Sequence, residues 1–149
     1  MVGPDLEKLF PGLVGKSCQI KSQKDHHYNC IAWAVGDNHN WWWPDSAQQD
    51  TWPANVPRLE TVPAFQNAFA GLGYTVCDME ELETGFEKIA IFALAGAPKH
   101  AARQLPSGSW TSKIGFLEDI EHELHDLEGT EYGTVVVIMK RALPSRYPT

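Results

Sequence analysis

Two side chains of this sequence have the types that covalent acyl transfer needs: a thiol at Cys30 and an imidazole at His100. A cysteine nucleophile requires a lowered pKa, which a helix N-terminus and a neighbouring histidine commonly provide. Cys30 begins the apolar run CIAWAVG directly after the polar stretch KDHHYN, so we expect its sulfur to face solvent at a helix start. The alternative is an inert core thiol, the commoner role of a free cysteine in an apolar helix.

His100 precedes a predicted hairpin, because residues 106–108 form a Pro-Ser-Gly turn between two strand-like segments. His100 is expected to open the first of these strands and to lie with a ring nitrogen within roughly 3–5 Å of the Cys30 sulfur. The returning strand would bring Ser112 beside His100, where its hydroxyl could orient the imidazole as the third member of a triad does. A slip of one residue in register would substitute Thr111 or Lys113. A purely structural histidine is the alternative.

The residues around Cys30 and the tryptophan-rich segment after it suggest a substrate site. The backbone N–H of Cys30, aided by Asn29 or Tyr28, would stabilise an oxyanion. Three consecutive tryptophans cannot all face a core under helical or strand periodicity, so an aromatic wall for a peptide or sugar competes with a lid over a small core. The candidate substrate-binding residues are Tyr28, Asn29, Trp41, Trp42, Trp43 and Trp110.

The histidines raise a metal hypothesis, since imidazole and thiolate suit Zn²⁺. Their spacings do not favour it: His26 and His27 are adjacent, and His122 and His125 fall on the predicted solvated face of a helix. For His122, a hydrogen bond inside the fold is the alternative. We therefore expect neither a metal nor a cofactor.

Composition limits the class of protein. The 149 residues, 43% of them hydrophobic, predict one soluble domain over 1–149, with a core from about 15 to 141. A net charge of −7 argues against general nucleic-acid binding, and three cysteines without a spacing motif argue against a disulfide framework. No signal peptide or run of 18 apolar residues occurs, which predicts a cytoplasmic protein without a membrane partner. The alternatives to a cytoplasmic protein are that the chain is an excised domain, or that it is exported without a signal peptide.

Hydrophobic patterning predicts an α+β fold in which helices come first and an antiparallel sheet follows. Residues 28–35 form a predicted helix capped by Gly36, and residues 37–57 form a long irregular loop. A second predicted helix begins after the N-cap Thr61 and stops at Gly73.

The second half of the chain is predicted to form most of the sheet. Leucine and isoleucine recur at helical spacing over 117–127, which predicts one more amphipathic helix there. The acidic runs 78–83 and 118–128 are expected to be solvated. The predicted strands are 74–77, 88–94, 100–105, 109–114 and 132–139, and the last of them is expected to be buried.

The stretch YNCIAWA, followed seventy residues later by HAARQLPSGSWTS, resembles the Cys-helix and His-hairpin of the NlpC-type branch of papain-like cysteine hydrolases. The resemblance implies a papain-like fold with N-terminal helices packed on an antiparallel sheet. It also implies Cys30 as nucleophile, His100 as general base and then acid, and Ser112 at the third polar position. The branch usually has His, Asn or Gln at that position, and Asp-Cys-Ser around the nucleophile, so Ser112 and the triplet Asn29-Cys30-Ile31 depart from the pattern.

The stretch 28–141 is also similar to a group of small, poorly characterised bacterial proteins that share YNCIAWAVG, HAARQ, W-TSK-G, EDIEH and YGTVV. We expect a cysteine-dependent peptidase, amidase or deamidase that acts on a peptide, protein or peptidoglycan-like substrate. The alternative is a non-enzymatic binding module that keeps a papain-like scaffold and holds a protein or glycan with its tryptophan loop.

Overall fold

The sheet dominates the computed structural model, which describes residues 4–14, 19–22, 27–114 and 119–143. Its strands are β1 (Gln19–Ser22), β2 (Thr75–Cys77), β3 (Phe86–Leu94), β4 (Ala97–Gln104), β5 (Trp110–Lys113), β6 (Asp119–His122) and β7 (Thr134–Ala142). In this part of the chain they form one seven-stranded sheet in the order β1-β6-β5-β4-β3-β7-β2. All of the pairings are antiparallel.

Three short helices accompany the sheet: α1 (Pro4–Leu9), α2 (Cys30–Val35) and α3 (Val62–Ala70). Asn29 caps α2 by accepting the Ala32 N–H at 3.1 Å, and Gly36 ends it in the left-handed conformation. Thr61 caps α3 in the same way. Among the residues described, no helix is both long and apolar enough to span a lipid bilayer.

The sheet separates two apolar clusters, because alternate residues of a strand point to opposite faces. The cluster on one face, here called the α2 face, joins Cys30 to α3 and to Ile89, Ile91 and Ala101 of the sheet. The cluster on the opposite face contains Phe10, Leu13, Ala90, Phe92, Ala102, Trp110, Ile114, Ile120, Leu124 and Leu127. The site residues are therefore divided between two sides of one sheet.

The predicted α+β class with an antiparallel sheet is confirmed. The helices predicted at 28–35 and after Thr61 are present, and 37–57 contains only an isolated bridge between Trp42 and Thr51. The hairpin turn at 106–108 joins β4 to β5 as predicted. His100 does not open its strand, since it is the fourth residue of β4.

The helix predicted over 117–127 is wrong. Residues Asp119–His122 are a strand that pairs with β5 on one side and β1 on the other, and Leu124–Leu127 is a 3₁₀ turn. The pairing on both sides satisfies the backbone groups that a helix would have satisfied internally, and Ile120 is buried in either conformation. Leu117 lies outside the described residues.

Two other expectations about exposure are wrong. The acidic run 118–128 is not simply solvated, because Asp119 is fully buried and Asp126 is 8% exposed. The last strand is not buried throughout, since Val136 is 48% exposed and its neighbours alternate. Burial in this half of the chain follows strand alternation across two packed faces.

Candidate active site

Cys30 is the first residue of α2, as predicted, but its sulfur does not face solvent. The residue is 6% exposed. Burial raises the pKa of the Cys30 thiol to about 11, against the lowering effects of the backbone N–H groups of Ala101, Ile31 and Cys30 itself and the charge of Lys113. The sulfur is therefore a neutral thiol at pH 7, surrounded by amide donors from both the helix start and β4.

His100 and Ser112 meet across β4 and β5. The Nε2 atom of His100 lies 2.8 Å from the Ser112 Oγ, and both residues are fully buried. The register is set by the pair Arg103 and Thr111, so neither a slip to Thr111 nor one to Lys113 has occurred. The predicted position of Ser112 beside His100 is confirmed.

The hydrogen bonds continue beyond Ser112 to a second buried histidine. Ser112 Oγ lies 2.7 Å from His122 Nε2, and His122 Nδ1 lies 2.6 Å from the carbonyl oxygen of Glu123. His122 is 3% exposed, which corrects its expected position on a solvated helix face and agrees with the alternative of a hydrogen bond inside the fold.

The direction of each hydrogen bond in this chain follows from its last member. The Glu123 carbonyl can only accept, so His122 Nδ1 carries a proton and its Nε2 accepts the Ser112 O–H. Ser112 Oγ then accepts from the Nε2–H of His100. The Nδ1 atom of a neutral His100 is therefore a bare lone pair, and it has no hydrogen-bond partner among the described residues.

Both imidazoles of the chain are neutral at pH 7. Burial lowers the pKa of His100 well below its ordinary value, and the neighbouring His122 lowers it further. Burial also lowers the pKa of His122 to about 4, although its bond to Glu123 acts in the opposite direction. The assigned protonation of each ring nitrogen is thus the one that holds at pH 7.

Tyr132 covers the His100 ring. The two rings are stacked with centroids 4.0 Å apart and 6° between their planes, while Phe92 meets His100 edge-on at 5.2 Å. Burial raises the pKa of Tyr132 well above its usual value, with Cys30 the next contributor. The tyrosine hydroxyl thus lies within electrostatic range of the Cys30 sulfur.

A five-residue loop holds Tyr132 in this position. Gly129 and Gly133 exchange two backbone hydrogen bonds of 2.9 and 2.8 Å, which closes the loop. A Cβ atom on Gly133 would lie 1.9 Å from the carbonyl oxygen of Ala93, and the φ of +74° also favours glycine. Gly133 therefore permits the close approach of this loop to β3.

The relation between Cys30 and His100 differs from a preformed thiol–imidazole hydrogen bond. Cys30 packs with Ala101 on the α2 face, whereas His100 contacts Phe92 and Tyr132 on the opposite face. The sulfur reaches the backbone N–H of Ala101, the residue that follows His100. The expected approach of sulfur and ring nitrogen to roughly 3–5 Å stays a prediction.

Residues 19–140 match a family described as a domain of unknown function, DUF7689. The chain belongs to the DUF7689 family. No curated protein and no solved structure matches it. The match covers both Cys30 and the His100-Ser112-His122 chain, so the complete candidate site lies inside the DUF7689 domain.

Two residues predicted to assist an oxyanion have structural roles in this DUF7689 domain. Asn29 Oδ1 accepts the backbone N–H groups of Ala32 and Trp42, and its Nδ2 donates to the Trp42 carbonyl at 2.6 Å. Tyr28 donates its hydroxyl to Asp119 at 2.7 Å and is 4% exposed. Both side chains are held by bonds within the fold, and their expected role in oxyanion binding stays a prediction.

The tryptophans predicted to bind substrate divide into two groups. Trp110 is 2% exposed and packs in the cluster with Phe92, which is a core position, and its predicted role in substrate binding stays a prediction. Trp41, Trp42 and Trp43 are each half-buried. Trp42 donates its indole N–H to Asp37 at 2.9 Å, and Trp43 meets Phe65 edge-on.

The described residues hold no group of three or more His, Cys, Asp and Glu side chains that could bind a metal ion. His125 instead lies 2.9 Å from Glu80 and 3.1 Å from Glu128. His26 lies outside the described residues.

Sequence reasoning missed His122 and Tyr132 as residues of the candidate site in this DUF7689 domain. His122 was hidden by the helical spacing of its apolar neighbours, although the short segment between residues 113 and 119 also suits a hairpin. Tyr132 had one usable signal, the flanking glycines of GTEYG, which suggest a tight loop.

Proposed function

We propose that this chain is a cysteine-dependent hydrolase of an amide or related acyl bond, with Cys30 as nucleophile and His100 as general base and then acid. The observation that carries the proposal is the hydrogen-bond chain from Glu123 through His122 and Ser112, which leaves His100 Nδ1 as the basic atom. Activation of a cysteine by an oriented imidazole is the usual arrangement in this class of enzyme.

The proposed reaction is acyl transfer through a thioester. The Cys30 thiol gives its proton to His100 Nδ1 as the sulfur attacks the acyl carbon, and the imidazolium returns that proton to the departing amine. Water then adds to the thioester with His100 as base, which releases the acid and restores the thiol. Ser112 and His122 would hold the ring while its charge changes.

An opening in the backbone ladder between β4 and β5 supports a meeting of the Cys30 thiol and the His100 imidazole. These strands pair only at Arg103–Thr111 and Gln104–Trp110 in the described chain, so the stretch of β4 that contains His100 is not laddered to β5. We propose that Cys30 and His100 approach through this opening. The amide N–H groups already directed at the sulfur, those of Ala101 and Ile31, would then stabilise the developing oxyanion.

The papain-like fold is part of the same proposal. A cysteine at a helix start that packs on an antiparallel sheet, with the base and its orienting residue on adjacent strands, supports the resemblance of the sequence motifs. The chain would then act on a peptide, protein or peptidoglycan-like substrate.

Alkylation of Cys30 as a function of pH tests the proposal. Chloroacetamide would be reacted with folded protein in which Cys77→Ser removes a half-exposed thiol, and the modified peptide would be identified by mass spectrometry. An imidazole-assisted thiol reacts at neutral pH, and His100→Gln slows it at least tenfold there. A rate that rises up to about pH 11, or is unchanged by His100→Gln, contradicts catalysis by this pair.

The thiol environment favours a second candidate function, a non-enzymatic binding module. Cys30 is 6% exposed with its pKa raised to about 11 by burial, which is also the environment of an inert core cysteine. In that case Cys30 is alkylated only after unfolding, and its replacement changes stability without changing ligand binding.

A further inference from the structure

Three arginines lie in the described residues, and the side chain of one of them makes neither a hydrogen bond nor an ion pair there. Arg58 is paired with Asp45 at 2.8 Å, and Arg141 is paired with Glu87 and donates to the Leu72 carbonyl at 2.8 Å. The contact recorded for Arg103 is different: its guanidinium lies over the Trp33 ring, 4.7 Å from the centroid. Arg103 is half-buried, and among the described residues its guanidinium N–H groups have no hydrogen-bond acceptor.

The position of this guanidinium is fixed by its neighbours. The Trp33 indole N–H donates to Thr111 Oγ1 at 3.2 Å, which holds the ring on which Arg103 lies. A Cβ on Gly36 would lie 3.9 Å from the Arg103 Nη1, so the guanidinium lies beside the C-terminal end of α2. An aromatic face supports a planar cation without using any of its N–H donors.

Arg103 also lies on the face of the sheet that carries Cys30. Ala101, whose backbone faces the sulfur, is two positions earlier in β4, and side chains two apart share a face at a spacing of about 7 Å. Trp33 is three residues after Cys30 in the same helix, and therefore close to one turn away.

We propose that Arg103 binds a carboxylate group of the substrate and so selects acyl compounds that carry one at the end of α2 opposite Cys30, about 9 Å along the helix. This inference rests on the proposed function for the assignment of the bound molecule as a substrate. A planar guanidinium with unused donors matches a carboxylate through two parallel hydrogen bonds, and the stacked position limits the entropy lost on binding.

A carboxylate fits this position better than a phosphate. Glu87 and Asp119 both act electrostatically on Arg103, and their negative charge opposes a dianion more strongly than a monoanion. Burial lowers the pKa of Arg103, but the ordinary pKa of a guanidinium is so far above 7 that the group remains a cation at pH 7.

Calorimetric binding to the Cys30→Ala variant tests the inference without catalysis. The probes are a set of N-acetyl dipeptides with a free C-terminal carboxylate, the same set as C-terminal amides, and inorganic phosphate. We expect the carboxylates to bind about tenfold more tightly than the amides, as one charge-assisted pair provides. Arg103→Gln should reduce this ratio to about one, Arg103→Lys should keep part of it, and Arg58→Gln should leave it unchanged.

The outcomes separate the two proposals. Equal binding of carboxylates and amides, absence of binding by both sets, or a preference that survives in Arg103→Gln overturns the role of Arg103. Tighter binding of phosphate than of any carboxylate overturns the substrate class. The last outcome combines two measurements: a carboxylate preference in Cys30→Ala, and no hydrolysis of these amide bonds by the protein with Cys30 intact. This outcome leaves Arg103 as an anion site and contradicts the proposed hydrolase.

Discussion

Tyr132 lies flat on His100, with 4.0 Å between the ring centroids. The stacked tyrosine covers one side of an imidazole whose Nε2 is already bonded to Ser112. Water is thus excluded from the ring, and this exclusion is the main reason that the pKa of His100 is low.

Replacement of Tyr132 should therefore change the titration of His100. We expect Tyr132→Ala to raise the pKa of His100 toward its ordinary value, because water reaches the ring, whereas Tyr132→Phe keeps the stack and the low pKa. NMR titration of the His100 ring protons measures both. Equal titration curves for the two variants would show that stacking by Tyr132 does not control the pKa of His100.

Ser112→Ala removes the link between the two histidines. The change leaves one buried nitrogen of His100 and one of His122 without partners, which costs about 1–3 kcal/mol for each group in the free energy of unfolding. Hydrolysis, once a substrate is known, should fall modestly, and far less than in Cys30→Ala. Denaturant unfolding and turnover measure the two effects.

Thr111→Val is the matched control for that change. Thr111 is equally buried in the same strand, but its hydroxyl accepts the indole N–H of Trp33 and donates to the backbone carbonyl of Ile120. The Thr111→Val variant should lose stability without altering the NMR signals of the His100 ring protons. A shift of those signals in Thr111→Val, with none in Ser112→Ala, would contradict the assigned hydrogen-bond chain.

Mild acid should destabilise the fold. The pKa of His122 is about 4 in the folded protein and near 6.5 in an unfolded chain, so the unfolded state binds more protons between these values. Stability is complete above about pH 6.5 and falls as the pH decreases toward 4. For His122 alone the loss at pH 5 is about 2 kcal/mol.

Chemical unfolding at pH 7 and pH 5 measures that loss, and His122→Gln should reduce it. His125 provides a control of opposite sign, because its bond to Glu80 raises its pKa and stabilises the protonated form. His125→Gln should therefore make the acid loss no smaller. A fold equally stable at pH 7 and pH 5 would show that the buried histidines are solvated.

The tryptophan loop should divide into packing and contact residues. Trp42 and Trp43 pack against the cluster on the α2 face, so their replacement by Ala should cost about 2–4 kcal/mol, somewhat less than a fully buried tryptophan. Trp41 is half-buried outside both clusters, so Trp41→Ala should cost less stability than either of these changes and weaken ligand binding. Early unfolding of all three variants would identify the loop as a core lid.

Local signals in the sequence predicted much of the fold. Thr61 marks the start of a helix because its side chain accepts a backbone N–H of the first turn. Gly36 marks the end of a helix because glycine adopts the left-handed conformation needed there. The position of Ser112 beside His100 also follows from local turn geometry. The strand around His122 was not predicted because its apolar spacing also fits a helix, and one side of the strand pairs with β1, which lies far earlier in the chain.

The site shows the same division. The helix start at Cys30 is a local feature, whereas burial of its sulfur depends on packing against Ala101 of β4. The stacking of Tyr132 on His100 is a contact between distant segments, and no pattern of residue types encodes it.

The order of strands has a consequence for how the chain is made. The two strands that emerge first from the ribosome, β1 and β2, occupy opposite edges of the sheet, and each pairs with a late strand, β6 or β7. Neither strand has its partner until β6 or β7 has been made. The sheet therefore cannot be completed before Thr134–Ala142 is available, and a nascent chain halted before Thr134 would expose unpaired strand edges that chaperones recognise.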